Sequence, residues 1–198
     1  MSAGSPANGI VRHRLGEILV RHNDVVHPGD RTSGEAIFVG LEHIESHTGR
    51  RTGQLQIDLA QLTGRKPTFR QGQIVYGYLR PYLNKVWIAE FDGCSSVDQF
   101  SFGVRSELAD TAFVAAFMRS EAFLRRSHIV TTTGQLPRIG VEEIAAVEIE
   151  LPPFAVQRNI VERLRRRTAA AELLVQRCRE QLEAAEALSA SMLRELFP

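Results

Sequence analysis

The C-terminal stretch that follows Pro152 and Pro153 places the strongest constraint on this fold. Between Phe154 and the final Pro198 there is no glycine or proline, and alanine, leucine, glutamate, arginine and glutamine dominate. These residue types are strong helix formers. At 1.5 Å of rise per residue, about 43 residues make a helix roughly 65 Å long, which is longer than a small domain is wide. The sequence therefore predicts one long helix over residues 154–198.

An apolar heptad seam runs along this predicted helix. Apolar and small residues recur at alternating steps of three and four, which is the pattern of a coiled coil. We expect a dimerisation surface at these positions: Val161, Leu164, Ala171, Val175, Cys178, Leu182, Ala185 and Met192. The helix could instead dock on its own domain, but that domain is too short to cover all of it. A long helix with one apolar seam favours a partner helix.

The residues before the proline pair indicate a strand-rich globular domain. Short apolar runs, rich in β-branched or aromatic residues, are separated by Gly, Pro, Asn and Asp. One interruption, from about Asp110 to Arg126, has near-helical apolar spacing, and Asp110 could cap its start. We predict an α+β fold with a flexible N-terminus over residues 1–12, a globular domain over residues 13–153 and a single long C-terminal helix.

Composition excludes several classes of protein. The net charge of +1 rules out a uniformly basic nucleic-acid binder, so any such activity must lie in a patch. The two cysteines and six histidines show no zinc or redox spacing, and we expect neither a metal nor a cofactor. Without a long apolar run or a signal-peptide core, we expect a soluble cytoplasmic chain that has no membrane partner.

One window of the domain has a local charge bias. From Leu59 to Ala89 there is no acidic residue, while five lysines and arginines alternate with aromatic residues. Phosphate oxygens attract Lys and Arg, and base edges pair with forked guanidinium groups. The window therefore suits a nucleic-acid partner, although the same alternation of aromatic residues is normal in half-buried strands.

The order of several motifs resembles the specificity subunits of type I restriction–modification systems. The run GQIVYGYLRPYLNKVWIAEFDGCSS, Gly72 to Ser96, is similar to the family's G-x-I-L-Y-x-x-L-R-P-Y-L-x-K-V…S-S run. The run GQLPRIGVEEIAAVEIELPPFAVQRNIVERL, Gly134 to Leu164, resembles the exit from a target recognition domain into a long helix. The openings RLGEIL and FVGLEHIESHTG are also similar, so the resemblance covers the chain from about Arg14.

The resemblance implies a non-catalytic subunit that recognises double-stranded DNA. It also implies partners, namely an adenine methyltransferase subunit and possibly a restriction subunit, which would hold S-adenosylmethionine and ATP. The resemblance implies that a full specificity subunit has two recognition domains and two antiparallel helices, whereas this chain has one of each. We therefore expect a half-size form that completes itself as a homodimer and reads an interrupted palindrome.

Within this interpretation, three stretches supply the candidate DNA contacts. They are a loop with Arg65, Lys66 and Arg70, a turn with Tyr78, Arg80, Tyr82 and Lys85, and a polar stretch with Gln135 and Arg138. The tyrosines could equally pack in the core, and the charged residues could simply face water. The competing function is a non-catalytic interaction or scaffold module that uses its coiled-coil helix, and an anti-restriction role is a weaker alternative.

Overall fold

The computed structural model describes residues 9–127 and 136–197. Its strands are β1 Val11–Arg14, β2 Leu19–His22, β3 Val25–Val26, β4 Glu35–Val39, β5 Leu55–Asp58, β6 Lys66–Phe69, β7 Ile74–Gly77, β8 Val86–Ile88, β9 Gly93–Ser95, β10 Gln99–Val104 and β11 Glu148–Leu151. Its α-helices are α1 Leu15–Ile18, α2 Thr111–Met118, α3 Glu121–Arg126, α4 Val141–Ala146 and α5 Phe154–Leu196. Short 3₁₀ helices occur at Leu41–His43, Leu59–Gln61 and Pro81–Leu83.

The chain divides into two compact units after Arg158. The first unit contains all of the strands and the first turn of α5, and the second is the rest of α5. The predicted α+β class and the long C-terminal helix are confirmed. The unit boundary lies a few residues beyond the expected one, because the first turn of α5 packs as part of the globular unit.

Two larger sheets and one ribbon build the globular unit. The four-stranded sheet has the order β2-β10-β7-β8 and is antiparallel throughout. The five-stranded sheet has the order β3-β6-β9-β4-β5, in which only the β4–β9 pair is parallel. The ribbon consists of β1 and β11. The motif-bearing strands β7 and β10 are therefore neighbours in one sheet.

Strand β7 is buried on both faces, because it separates two hydrophobic clusters. Ile74 and Tyr76 belong to the larger cluster, which also contains residues of α1 to α4. Val75, between them in sequence, joins Trp87 and Phe69 in the smaller cluster. Successive side chains of a strand point to opposite faces, so the run IVY necessarily serves both layers.

The ribbon pairs the first strand of the described chain, β1, with the last strand of the globular unit, β11. Val11 pairs with Leu151 and Arg14 with Glu148. The guanidinium of Arg12 lies 3.1 Å from the carboxylate of Glu150. A flexible N-terminus was expected over residues 1–12. Val11 and Arg12 instead belong to β1, and residues 1–8 lie outside the described residues.

The predicted helical stretch from Asp110 to Arg126 is two helices. Asp110 caps the first, because its carboxylate accepts a hydrogen bond from the Phe113 N–H (3.0 Å). Ser120 caps the second by accepting from the Phe123 N–H (3.2 Å). A serine that caps a new helix ends the previous one, so the single periodic pattern is interrupted at this point.

The hinge into α5 is held by the side chain of Gln157, which is 1% exposed. Its Nε2 donates to the Pro152 carbonyl (2.8 Å), and its Oε1 accepts from the Asp110 N–H (2.9 Å). Pro152 and Pro153 can precede the helix because the first N–H groups of a helix have no partner within it. The amide of Gln157 thus joins the hinge to the start of α2.

We expect Gln157→Ala to lower the free energy of unfolding by about 2 kcal/mol, because it leaves a buried N–H and a carbonyl unpaired. Urea denaturation followed by circular dichroism measures this change. The control is Gln176→Ala on an exposed part of α5, which should change stability by less than about 0.5 kcal/mol. Equal effects of the two substitutions would contradict the assigned role of Gln157.

Candidate nucleic-acid interface

The LRPYLN run forms a tight turn between β7 and β8. Pro81–Leu83 is a 3₁₀ helix, and the residues on either side of it, Arg80 and Asn84, have the left-handed backbone conformation (φ 51° for both). Non-glycine residues adopt this conformation at a cost that the surrounding structure must offset. The turn presents Arg80 and Tyr82 to solvent, with Tyr82 50% exposed.

A second segment runs alongside this turn. Arg138 forms an isolated antiparallel bridge with Leu79. The Arg80 N–H donates to the Pro137 carbonyl (2.8 Å), and the Ile139 N–H donates to the Tyr78 carbonyl (3.2 Å). Two of the predicted contact stretches, about 60 residues apart in sequence, are thereby joined through their backbones. Gln135, which precedes this segment, lies outside the described residues.

Tyr78 is the point at which the predicted contact residues converge. Its ring stacks on Phe100 with a centroid distance of 4.3 Å. Burial raises the pKa of the Tyr78 phenol, and the carboxylate of Asp98 adds to this rise, while Arg138 and Arg65 oppose it. Both guanidinium groups are therefore close enough to act on the phenol. Arg65, Tyr78 and Arg138 form one surface, with Arg80 adjacent in the chain.

A cavity of about 160 Å³ opens beside Tyr78. Its lining includes Arg21 and Arg65 as cations and the stacked rings of Tyr78 and Phe100, and the Arg21 guanidinium lies 4.8 Å from the centre of the Phe100 ring. We name the exposed surface formed by Arg65, Tyr78, Arg80, Tyr82 and Arg138 the Tyr78 surface. It combines cationic and aromatic groups around a concave site.

Three predicted contact residues are engaged elsewhere. The ammonium of Lys85 donates to the carbonyls of Leu41 (2.6 Å) and Ile44 (2.8 Å). Arg70 pairs with Asp92 at 3.2 Å, in the lining of a different cavity. The Lys66 ammonium lies 4.9 Å from the centre of the Phe38 ring.

Lys85 is the clearest correction to the sequence-based expectation. Its ammonium holds the 3₁₀ segment Leu41–His43 against the β7–β8 turn, so it is a structural residue in this fold. The aromatic residues of the acid-free window are likewise mostly structural, since Phe69, Tyr76 and Trp87 are core residues. Of the window, only Arg65, Tyr78, Arg80 and Tyr82 contribute to the Tyr78 surface.

Sequence reasoning missed several residues of this site, chiefly Arg21, Asp98, Phe100 and Ser101. Arg21 lies in β2, which pairs with β10, and Phe100 and Ser101 lie in β10 itself. The signal that could have found them is the strand alternation of QFSFGV, which places Gln99 and Ser101 on the same face. The pairing of β2 with β10, about 80 residues apart, has no such local signal.

One curated protein of similar sequence identifies the family of this chain. The sequence is 32% identical over 161 residues to the type I restriction enzyme EcoDI specificity subunit of Escherichia coli, covering 81% of this chain and 36% of that protein. No protein-family model matches the sequence. The chain belongs to the family of type I restriction–modification specificity subunits.

Two solved structures share the specificity-subunit fold. One, from work on complex assembly and conformational transition of the type I restriction–modification system, has a TM-score of 0.79 at 22% identity, covering 99% of this chain and 51% of that one. The other, the HsdS subunit from Thermoanaerobacter tengcongensis, has a TM-score of 0.72 at 22% identity, covering 85% and 45%. The chain spans about half the length of these structures and about a third of the curated relative.

Residues 9–127 and 136–197 contain neither a candidate metal site nor a candidate membrane span. In those ranges, no three histidine, cysteine, aspartate or glutamate side chains are grouped so as to hold a metal ion. Within the same part of the chain, no helix is both long and apolar enough to cross a membrane.

We expect Lys85→Met to destabilise the domain by about 2 kcal/mol, because two backbone carbonyls lose a charged hydrogen-bond donor. Thermal denaturation measures this loss. Arg65→Ala, in an exposed loop, serves as the control and should change stability by less than about 0.5 kcal/mol. A fully stable Lys85→Met protein would return Lys85 to the candidate DNA contacts.

Proposed function

We propose that this chain is a sequence-specific, non-catalytic DNA-binding subunit of a type I restriction–modification complex. The observation that carries the proposal is the backbone pairing of residues 137–139 with residues 78–80, which places Arg138 beside Arg80 and Tyr78 on an exposed surface. Guanidinium groups of this kind bind phosphates or the acceptor edge of guanine. The proposed partners are double-stranded DNA, an adenine methyltransferase subunit and a restriction subunit.

The Tyr78 surface gives the proposed DNA contacts: Arg65, Tyr78, Arg80, Tyr82 and Arg138. Arg70 is left out because Asp92 neutralises it at a different cavity. Lys66 and Lys85 are left out because an aromatic ring and two carbonyls hold their ammonium groups. The proposal thus concentrates the binding energy in three arginines and two rings.

Selection from a randomised duplex library tests this function. We expect the wild-type protein, with its methyltransferase partner, to enrich one motif, and its affinity to fall steeply with salt. Arg138→Ala and Arg80→Ala should each weaken binding, and each phosphate contact that is lost should reduce the slope of log affinity against log salt by about 0.9. Arg70→Ala removes the same charge elsewhere and should leave the slope unchanged. If the affinity for DNA did not depend on salt and no motif were enriched, the scaffold function would be favoured instead.

We also propose that the chain forms a homodimer through antiparallel α5 helices. Most of the heptad seam is open to solvent within one chain, with Leu164 43%, Val175 50%, Leu182 59% and Met192 54% exposed. Leu174 and Leu188, which flank the seam, are 63% exposed. An apolar surface of this extent on an isolated helix favours association.

The seam favours one register of the two antiparallel helices. If the two-fold axis passes between Gln176 and Arg177, Leu164 and Leu182 lie opposite the small residues Ser189 and Ala171 of the partner subunit. Thr168 would face Ala185, and Val175 would face Cys178, each time across the two chains. Val161, which was predicted for this seam, is only 8% exposed within one chain and is left out of the layers. Alternation of large and small residues lets facing layers interdigitate.

Charges beside the seam favour the same register. Arg165 would lie beside Glu186 of the partner subunit, and Glu172 beside Arg179 of the partner subunit, each pair occurring twice. A slide of one heptad in one direction brings the two Glu172 residues together. A slide in the other direction brings the two Arg179 residues together. Opposite charges next to a coiled-coil seam set its register, and like charges exclude the alternatives.

We expect a dimer of the wild-type protein in sedimentation equilibrium at micromolar concentration. Glu172→Arg should weaken dimerisation by about tenfold, because two attractive pairs become repulsive. The double variant Glu172→Arg with Arg179→Glu should restore the dimer, since it exchanges the charges within the same pair. Glu183→Arg, on the outer face of the helix, is the charge-matched control and should have no effect. A monomeric wild-type protein, or a double variant without rescue, would contradict this arrangement.

A two-fold dimer would carry two identical recognition domains. It would therefore read two identical half-sites in opposite orientation, separated by a spacer whose length depends on α5. The motif enriched from the duplex library should accordingly be an interrupted palindrome.

A further inference from the structure

Two buried polar side chains line the cavity beside Tyr78 without a hydrogen-bond partner. Gln99 and Ser101 are each 3% exposed, and both contribute to the cavity wall. Gln99 Nε2 and Ser101 Oγ have no hydrogen-bond partner among the described residues. A buried polar group without a partner costs free energy, so such a pair at a cavity indicates a ligand that supplies the missing atoms.

The orientation of the Gln99 amide follows from its neighbours. Its Oε1 accepts from the Ser96 N–H (3.0 Å) and from the Ser96 hydroxyl (2.9 Å). A backbone N–H can only donate, so the amide oxygen must face Ser96 and the NH₂ group must be the free end. The NH₂ group of Gln99 is therefore the unpaired end of the amide, and only a hydrogen-bond acceptor can satisfy it.

Ser101 strengthens this requirement. It lies two residues after Gln99 on β10, so both side chains are on the same face of the strand. A serine hydroxyl can donate or accept. An oxygen with two lone pairs could accept from the Gln99 amide and the Ser101 hydroxyl together, which would satisfy both groups.

The size and rim of the cavity narrow the class of ligand. At about 160 Å³ the cavity is small and partly open, which suits the edge of a base better than a whole nucleotide. The lining holds two arginines, Arg21 and Arg65, against one carboxylate, that of Asp24, and Tyr78 joins the cavity to the proposed DNA contacts.

We propose that Gln99 and Ser101 form a specificity pocket that reads the keto oxygen of guanine or thymine. This inference rests on the proposed DNA-binding function. In the major groove, guanine O6 and thymine O4 are acceptors, whereas the amino groups of adenine and cytosine are donors. A donor amide on the same face of β10 as a hydroxyl that can also donate favours the first pair of bases over the second.

Gln99→Glu tests the pocket, because it keeps the shape of the side chain and replaces the NH₂ donor with an acceptor oxygen. One carboxylate oxygen can still accept from Ser96, while the other presents an acceptor to the cavity. In the randomised duplex selection, we expect one position per half-site to change from guanine or thymine to cytosine or adenine, by about tenfold or more in enrichment ratio. The other positions of the motif should be unchanged.

Ser101→Ala provides a second variant that is small enough to be accommodated. It removes one of the two donors, so the preference at the same position should weaken by about fivefold without changing base class. Gln73→Glu is the matched control, because the Gln73 amide oxygen also accepts a backbone N–H, from Arg70 (2.8 Å), and Gln73 is not in the lining of this cavity. It should leave the motif unchanged.

The outcomes separate this inference from the function on which it rests. If the wild-type protein enriches a motif and folded Gln99→Glu and Ser101→Ala proteins enrich the same one, the pocket proposal is wrong and the DNA-binding function stands. If the variants weaken binding to every duplex equally and reduce the salt slope, the pocket holds a phosphate oxygen, which also overturns the proposal. If the wild-type protein enriches nothing, both proposals fail.

Discussion

A single buried carboxamide ties three parts of this chain together. Gln157 holds the proline hinge through the Pro152 carbonyl and the start of α2 through the Asp110 N–H. Asp110 is itself the cap of α2, which packs against the sheet that contains β7 and β10. The first turn of α5 is therefore part of the globular unit.

The site depends on contacts between segments that are far apart in sequence. Arg138 reaches the Tyr78 surface because residues 137–139 pair with residues 78–80, and Arg21 reaches the cavity because β2 pairs with β10. The contacts of each cationic side chain then indicate its role. Arg65 lines the same cavity as Tyr78 and Arg138 is paired with Leu79, whereas the Lys85 ammonium is held by two backbone carbonyls.

Local patterns were sufficient to predict much of this fold. The absence of glycine and proline after Phe154 predicted α5, and short runs rich in β-branched and aromatic residues predicted a strand-rich domain before the proline pair. The predicted site was harder, because a linear window contains both faces of each strand. Tyr76 and Trp87 lie inside the domain for this reason, and the carboxylates of Asp92 and Asp98 come from outside the acid-free window. Gln99 and Ser101 could not be found from charge at all, since their signal is an unmet hydrogen bond.

The ribbon between β1 and β11 has a consequence for where the recognition residues lie in the chain. Because Val11 lies opposite Leu151, the globular unit is entered and left at one place. Strand pairing thereby fixes the two ends of residues 11–151 to each other, directly before the proline pair that precedes α5. Under the proposed function, the residues that read the target therefore lie within one segment that is closed at its base, and the spacing depends on the helix that follows it.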